Sequence, residues 1–215
     1  MAHGEEEFRS FVLEIEAERY RGYLGDPVFY VHDIKGKILV EDENGTILDE
    51  AGTFGVIYVD ADSAAAQRIS AFDVFDSYQT TYDYFATLYE DMDFAPSVRK
   101  LVEPDTWYWS SNLLILDRLI VHPKYRGNRL GLEILVMLMQ RFQAGAQLVA
   151  MNPYPLQFEH DVTAENKAER GLADFTCSKD YATRRLRRYY AKIGFRRVPG
   201  TTYMVRPTSS PLTQV

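Results

Sequence analysis

Cysteine is nearly missing: Cys177 stands alone in a chain of 215 residues. A single thiol excludes an intramolecular disulfide and any cysteine-rich zinc site, and it fits a reducing, cytoplasmic setting. The four histidines show no recurrent spacing, so no metal is expected. No apolar run approaches the roughly 20 residues that cross a bilayer. The opening residues, from Met1 to Glu7, are acidic and lack the basic-then-apolar build of a signal peptide. A membrane is therefore not an expected partner. Positive charge is also scarce: 24 Lys and Arg stand against 31 Asp and Glu, for a formal charge of −7. That balance disfavours nucleic acid as a partner and suits a cationic substrate. Internal repeats and low-complexity tracts are absent.

What is present suffices for one core. An apolar share of 46% and an aromatic share of 13% suit a single folded unit over residues 1–206, with an insertion at about 153–177 and a loose tail at 207–215. Residues 8–18 alternate, with Phe11, Leu13 and Ile15 on one face, and predict a strand. Residues 37–40 and 52–59 predict two more, giving an antiparallel meander. Residues 60–72 open with Asp60-Ala61-Asp62-Ser63 and predict a capped helix. Phe75, Tyr78, Tyr82, Phe85 and Tyr89 recur at helical spacing. Such a stripe is core material in most proteins; its functional reading makes Tyr78 and Tyr82 a wall of an acceptor pocket. Further on, the pattern predicts a strand at 112–121, a helix at 126–142 and a strand at 147–151 stopped by Asn152-Pro153. A polar excursion at 153–177, a helix at 178–192 capped by Gly194, and a closing hairpin complete the reading.

The chemistry concentrates at residues 119–131. There an apolar strand, Leu119-Ile120-Val121, enters a proline turn and then a Gly- and Arg-containing loop that opens a long apolar helix. A diphosphate needs converging donors, and a helix N-terminus supplies unpaired N–H groups with a partial positive charge. Gly127 and Gly131 allow close backbone approach, while Arg126 and Arg129 bring charge of the right sign.

The run Arg126-Gly127-Asn128-Arg129-Leu130-Gly131, preceded by Val121-His122-Pro123, resembles the Q/R-x-x-G-x-G/A signature of the GNAT superfamily of acyl-CoA-dependent N-acetyltransferases. Arg129 stands where that pattern has its middle glycine. Downstream, Tyr189-Tyr190-Ala191-Lys192-Ile193-Gly194-Phe195 resembles the family's Y-x-K-x-G-F ending. Together the resemblances cover roughly residues 112–152 and 178–205. They imply an α/β (α+β) fold, GNAT-like, with a mixed, mostly antiparallel twisted sheet flanked by helices. They imply acetyl-CoA as co-substrate and direct acetyl transfer to a primary amine of a small molecule or peptide. By the same resemblance the backbone of Leu119, Ile120 and Val121 would pair with the pantetheine arm, which requires this strand to splay from the one at 147–151. The amides of Asn128, Arg129, Leu130 and Gly131, with that of Arg126, would face the pyrophosphate. Tyr190 would be the general acid at the departing thiolate.

The acceptor side rests on the residues alone. Asp117 lies inside an apolar strand, sharing by alternation a face with Leu119 and Val121, and is a candidate base or substrate carboxylate. Asn152 and Glu159 are further candidate substrate contacts. Arg184, Arg185, Arg187 and Arg188 form a basic run suited to a coenzyme phosphate or to RNA; solvated helix faces carry such runs more often, and the acidic total argues against nucleic acid. A homodimer is compatible with the composition. The alternative is a non-catalytic acyl-CoA-binding regulator, or a protein-interaction module on the same fold.

Overall fold

The structure, a computed structural model, describes residues 10–19, 23, 25–90, 93–102, 110–127, 129–159, 163, 167, 171–172 and 175–212. The expected meander is present. Strands β1 (Ser10–Arg19), β2 (Val31–Glu41) and β3 (Ile47–Val59) run antiparallel, β2 and β3 extending well beyond the stretches at 37–40 and 52–59. Three short helices follow: α1 (Ala61–Ala66), α2 (Ala71–Asp76) and α3 (Gln79–Leu88). Asp60 caps α1 by accepting the Ser63 N–H, as the sequence foretold. After the small hairpin of β4 (Tyr89–Glu90) and β5 (Asp93–Phe94) and the one-turn helix α4 (Pro96–Arg99), β6 (Leu113–Val121) pairs antiparallel with β3. Helix α5 (Leu130–Phe142) leads into β7 (Leu148–Met151), which lies parallel to β6. Helix α6 (Lys179–Ala191) leads into the closing pair β8 (Arg196–Arg197) and β9 (Met204–Pro207).

The seven-stranded sheet has the order β1-β2-β3-β6-β7-β9-β8, and the β6–β7 contact is its one parallel pairing. The class is thus α+β with a mixed, mostly antiparallel sheet. Each face carries its own core, and alternation along β6 divides them. Leu113 and Ile115 pack with α1–α4, while Leu114 and Leu116 pack with α5. Burial on both faces explains the uninterrupted apolar run of this strand. Among the described residues no helix is long and apolar enough to cross a membrane.

Two expectations need correction. The stretch from Phe75 to Tyr89 is not one helix. Its chain breaks after α2, where the buried Thr81 hydroxyl donates to the carbonyls of Phe75 (2.6 Å) and Tyr78 (2.7 Å) and closes the turn into α3. Phe75, Phe85 and Tyr89 still meet, with ring centroids 4.9–5.1 Å apart, as core. The face that α3 buries is Thr81, Tyr84 and Leu88, which leaves Tyr82 exposed and Tyr78 half-buried at the helix start. The segment after β9, expected to be loose, is hydrogen-bonded as far as described. Arg206, fully buried, donates to the carbonyls of Ile193, Pro207, Ser210 and Pro211, and the Thr208 hydroxyl donates to that of Ala146. A buried cation is tolerable here because carbonyl dipoles, including those just beyond the C-terminus of α6, replace its water.

Candidate active site

The site forms where β6 and β7 part. Their pairing covers only Leu113–Ile115 against Leu148–Ala150. Strand β6 runs on to Val121, whereas β7 stops at Met151 before Asn152-Pro153. The splay that the resemblance required is therefore present. Beyond Leu116 one edge of β6 has lost its partner, while the other stays paired with β3 through Val121. The opening is a cleft of about 40 Å³, room for a few waters or a group of acetyl size. Leu116, Asp117, Arg118, Leu119, Met151, Asn152, Tyr154 and Tyr190 are among its lining.

A β-bulge sets the acceptor wall. Gly55 opposes Arg118 and Val56 opposes Leu116, so Asp117 is the extra residue. The bulge overturns simple alternation. Asp117 and Arg118 stand together over Gly55, where an added Cβ would lie 3.7 Å from the Arg118 Cβ and from Asp117 Oδ2. Leu119 and Val121 instead pack toward the α5 core. Asp117 is exposed at the cleft mouth, although neighbouring protein still displaces part of its water. Burial raises its pKa above the ordinary carboxylate value, Asp33 and Glu159 add to the rise, and Arg118 and Lys35 oppose it. Arg118 ion-pairs with Glu159 through Oε1. Glu159 Oε2 is buried and has no hydrogen-bond partner among the described residues.

Tyr84, which the sequence did not single out, lies in the core behind this wall without lining the cleft. It is 4% exposed, and its hydroxyl accepts the backbone N–H of Asn152. Its pKa is pushed well up by burial first and by Asp117 next. The Tyr203 ring packs edge-on against it, with centroids 4.7 Å apart. The signal for Tyr84 was the Thr81-x-x-Tyr84-x-x-x-Leu88 spacing, hidden beneath the louder aromatic stripe. Tyr78 and Tyr82, the stripe residues proposed as a pocket wall, are not among the residues lining the cleft; Tyr78 packs in the core beneath α2 and α3.

On the opposite wall the adjacent Tyr189 and Tyr190 diverge. Tyr190 lines the cleft, and burial pushes its phenol up to about 12. Tyr189 turns to the start of α5, where its hydroxyl lies close to the Leu132 amide, which itself donates to the Arg129 carbonyl at 2.8 Å. A Cβ at Gly131 would lie 3.0 Å from that hydroxyl, so the bare Gly131 makes room for Tyr189 as well as for any ligand.

Leu130 and Gly131, in the first turn of α5, have amides without an acceptor among the described residues. Gly127 is left-handed (φ +108°) with open space where a side chain would be. Arg129 is exposed and left-handed (φ +61°) at the N-cap of α5, and its side chain makes no cap bond. That conformation favours glycine, so an arginine at this position carries backbone strain. Arg126 departs from expectation. Its amide donates to Pro123, closing a 3-10 turn. Its guanidinium donates to the carbonyls of Val121 (2.9 Å) and Gly171 (2.8 Å) and lies over the Phe175 ring. Arg126 thus ties the returning end of the 153–177 excursion to the turn, with Gly171 set against Pro123. Asn128 lies outside the described residues.

Asp49 braces the same turn from β3, accepting from the Tyr125 hydroxyl at 2.5 Å and ion-pairing with Lys124. These bonds hold its carboxyl down at about 2. No group of three or more His, Cys, Asp or Glu side chains placed to hold a metal occurs among the described residues. Comparison with family models, with curated proteins and with solved structures found no match to this chain.

Proposed function

We propose that the chain is a GNAT-type N-acetyltransferase that moves an acetyl group from acetyl-CoA directly to a primary amine. The observation that carries this reading is the cleft between the parting strands, lined by Asp117 and Tyr190 and next to the open edge of β6 that leads toward the start of α5. Leu119, Ile120 and Val121 offer backbone groups to the amides of a pantetheine arm, as an added strand would. The free amides of Leu130 and Gly131 suit the diphosphate.

On the acceptor side, Asp117 takes a proton from the ammonium form, for which its raised pKa makes it a better base. The unfilled Glu159 Oε2 and Asn152 orient the nitrogen. The freed nitrogen then attacks the thioester carbonyl, forming C–N as C–S breaks, with no enzyme-bound acyl group. Tyr190, at about 12, is a weaker acid than an ordinary thiol at about 8.5. It therefore serves the departing sulfur as a hydrogen-bond donor, and any proton it yields is replaced by one that the nitrogen loses. This sharpens the general-acid assignment to Tyr190.

Thiol release from acetyl-CoA, measured across small amines, amino acids and peptide N-termini, tests the reading; release that depends on the amine is expected. Coenzyme binding without release from any amine would favour the regulator, the reading to which the internally engaged Arg126 lends weight. Absence of coenzyme binding would remove both.

A further inference from the structure

Helix α6 carries its cations on one side. At 3.6 residues per turn, Tyr181, Arg184, Arg185, Arg188 and Lys192 fall within one arc, and all five are exposed. Ala182 and Ile193 lie opposite, buried in the fold. None of these four cations is ion-paired among the described residues. The exposed ring among them is Tyr181, 48% exposed, with the Arg185 guanidinium 5.9 Å from its ring centre, while Lys192 lies 6.0 Å from the centre of the Tyr189 ring. At the margin of the arc, Arg187 buries its Nε without a partner and feels the charge of Arg197 on β8. The fold thus gathers like charges and leaves them uncompensated in a chain whose total is −7. Such a face is stabilised by a polyanion.

We propose that the solvent face of α6 binds the phosphodiester backbone of a single-stranded nucleic acid, with Tyr181 as a stacking platform for a base. Arginine's planar fork matches phosphate oxygens two at a time. A protein partner would call for an apolar anchor at the patch centre, and Tyr181 is the one large apolar side chain exposed on this helix. An exposed ring among arginines is the arrangement that holds single strands without reading their sequence. The local field of the patch outweighs the acidic total because screening confines charge effects to about 8–10 Å.

The test is fluorescence anisotropy with a labelled oligouridylate of about 12 nucleotides and the intact chain. Four phosphate contacts imply a log–log salt slope near −2.8, so raising salt from about 50 to about 200 mM should weaken binding roughly 50-fold. Arg184→Glu with Arg188→Glu should abolish binding at either salt. Tyr181→Ala should weaken the single strand about tenfold and leave duplex DNA of the same length unaffected. Circular dichroism checks that the variants are folded; a second pair, Arg185→Gln with Lys192→Gln, should weaken binding with less disturbance. The proposal falls if the unaltered chain does not bind the oligonucleotide at low salt, or if the charge reversals leave binding unchanged. It also falls if poly-glutamate binds as tightly, which would mark the face as a site for acidic protein, or if excess coenzyme A displaces the strand, which would make the arginines part of the coenzyme site.

Discussion

The two ends of β6 live in opposite surroundings. Over Leu113–Ile115 the strand is paired on both edges and buried on both faces. From Asp117 to Val121 it keeps β3 on one edge and, among the described residues, has no strand on the other. One extra residue, at the bulge, marks the boundary. The first end makes the sheet and the second opens it, so backbone groups that would have completed a ladder are left for a ligand. A bulge in one strand and a proline after its neighbour can thus turn a structural strand into a candidate site without any irregularity in its core half.

Five predictions probe this contrast. Asp117→Asn should break the open end alone: amine-dependent thiol release should fall by about 100-fold or more. Its sign for stability is opposite. Because the folded pKa of Asp117 is raised, its charged form disfavours folding, and stability is lost as pH rises through the raised value. The Asn variant should therefore melt at a higher temperature at neutral pH, and the rising limb of the pH–rate profile should vanish. A variant that keeps full turnover would remove Asp117 from the mechanism. Leu114→Ala should break the closed end: a fully buried leucine between two layers costs about 2–5 kcal/mol on truncation, read by urea denaturation, with turnover of the remaining folded fraction little changed.

Tyr190→Phe removes a hydrogen bond to the leaving sulfur and should slow turnover by about tenfold at unchanged coenzyme affinity; equal rates would leave Tyr190 a packing residue. The smallest effect is expected at the turn. Arg129→Gly relieves a left-handed arginine and should stabilise the fold by about 1 kcal/mol or less. The Asp49 brace should weaken as pH falls from about 3.8 toward about 2, because its folded pKa is depressed. Asp49→Asn should flatten that part of the acid-unfolding curve.

Local pattern was enough for much of the fold. Alternation marked β1, two strand-like stretches marked β2 and β3, the Asp60 cap marked α1, and the apolar strand followed by a Gly-containing loop marked β6 and α5. These features follow from interactions a few residues apart, which the sequence displays directly. The splay was legible because Pro153 cannot continue a ladder. The aromatic stripe misled because its spacing ignored the break that Thr81 stabilises through two carbonyls. Asp117 was legible as a carboxylate out of place, but its facing was not, because alternation assumes an unbulged strand. Tyr84 escaped notice because its importance lies in Asn152, 68 positions away along the chain.

The opening absences and the two motif-like runs belong to the sequence by itself: they exclude a disulfide framework and point to the loop before α5 and to Tyr190. Tertiary structure alone decided which of two adjacent tyrosines faces the cleft, that Arg126 fastens the excursion, and that Asp117 and Arg118 share a side. Periodicity and capping are short-range, so they can be read along the chain. Burial, charge proximity and strand register depend on which distant segments meet, and only the packed sheet determines that.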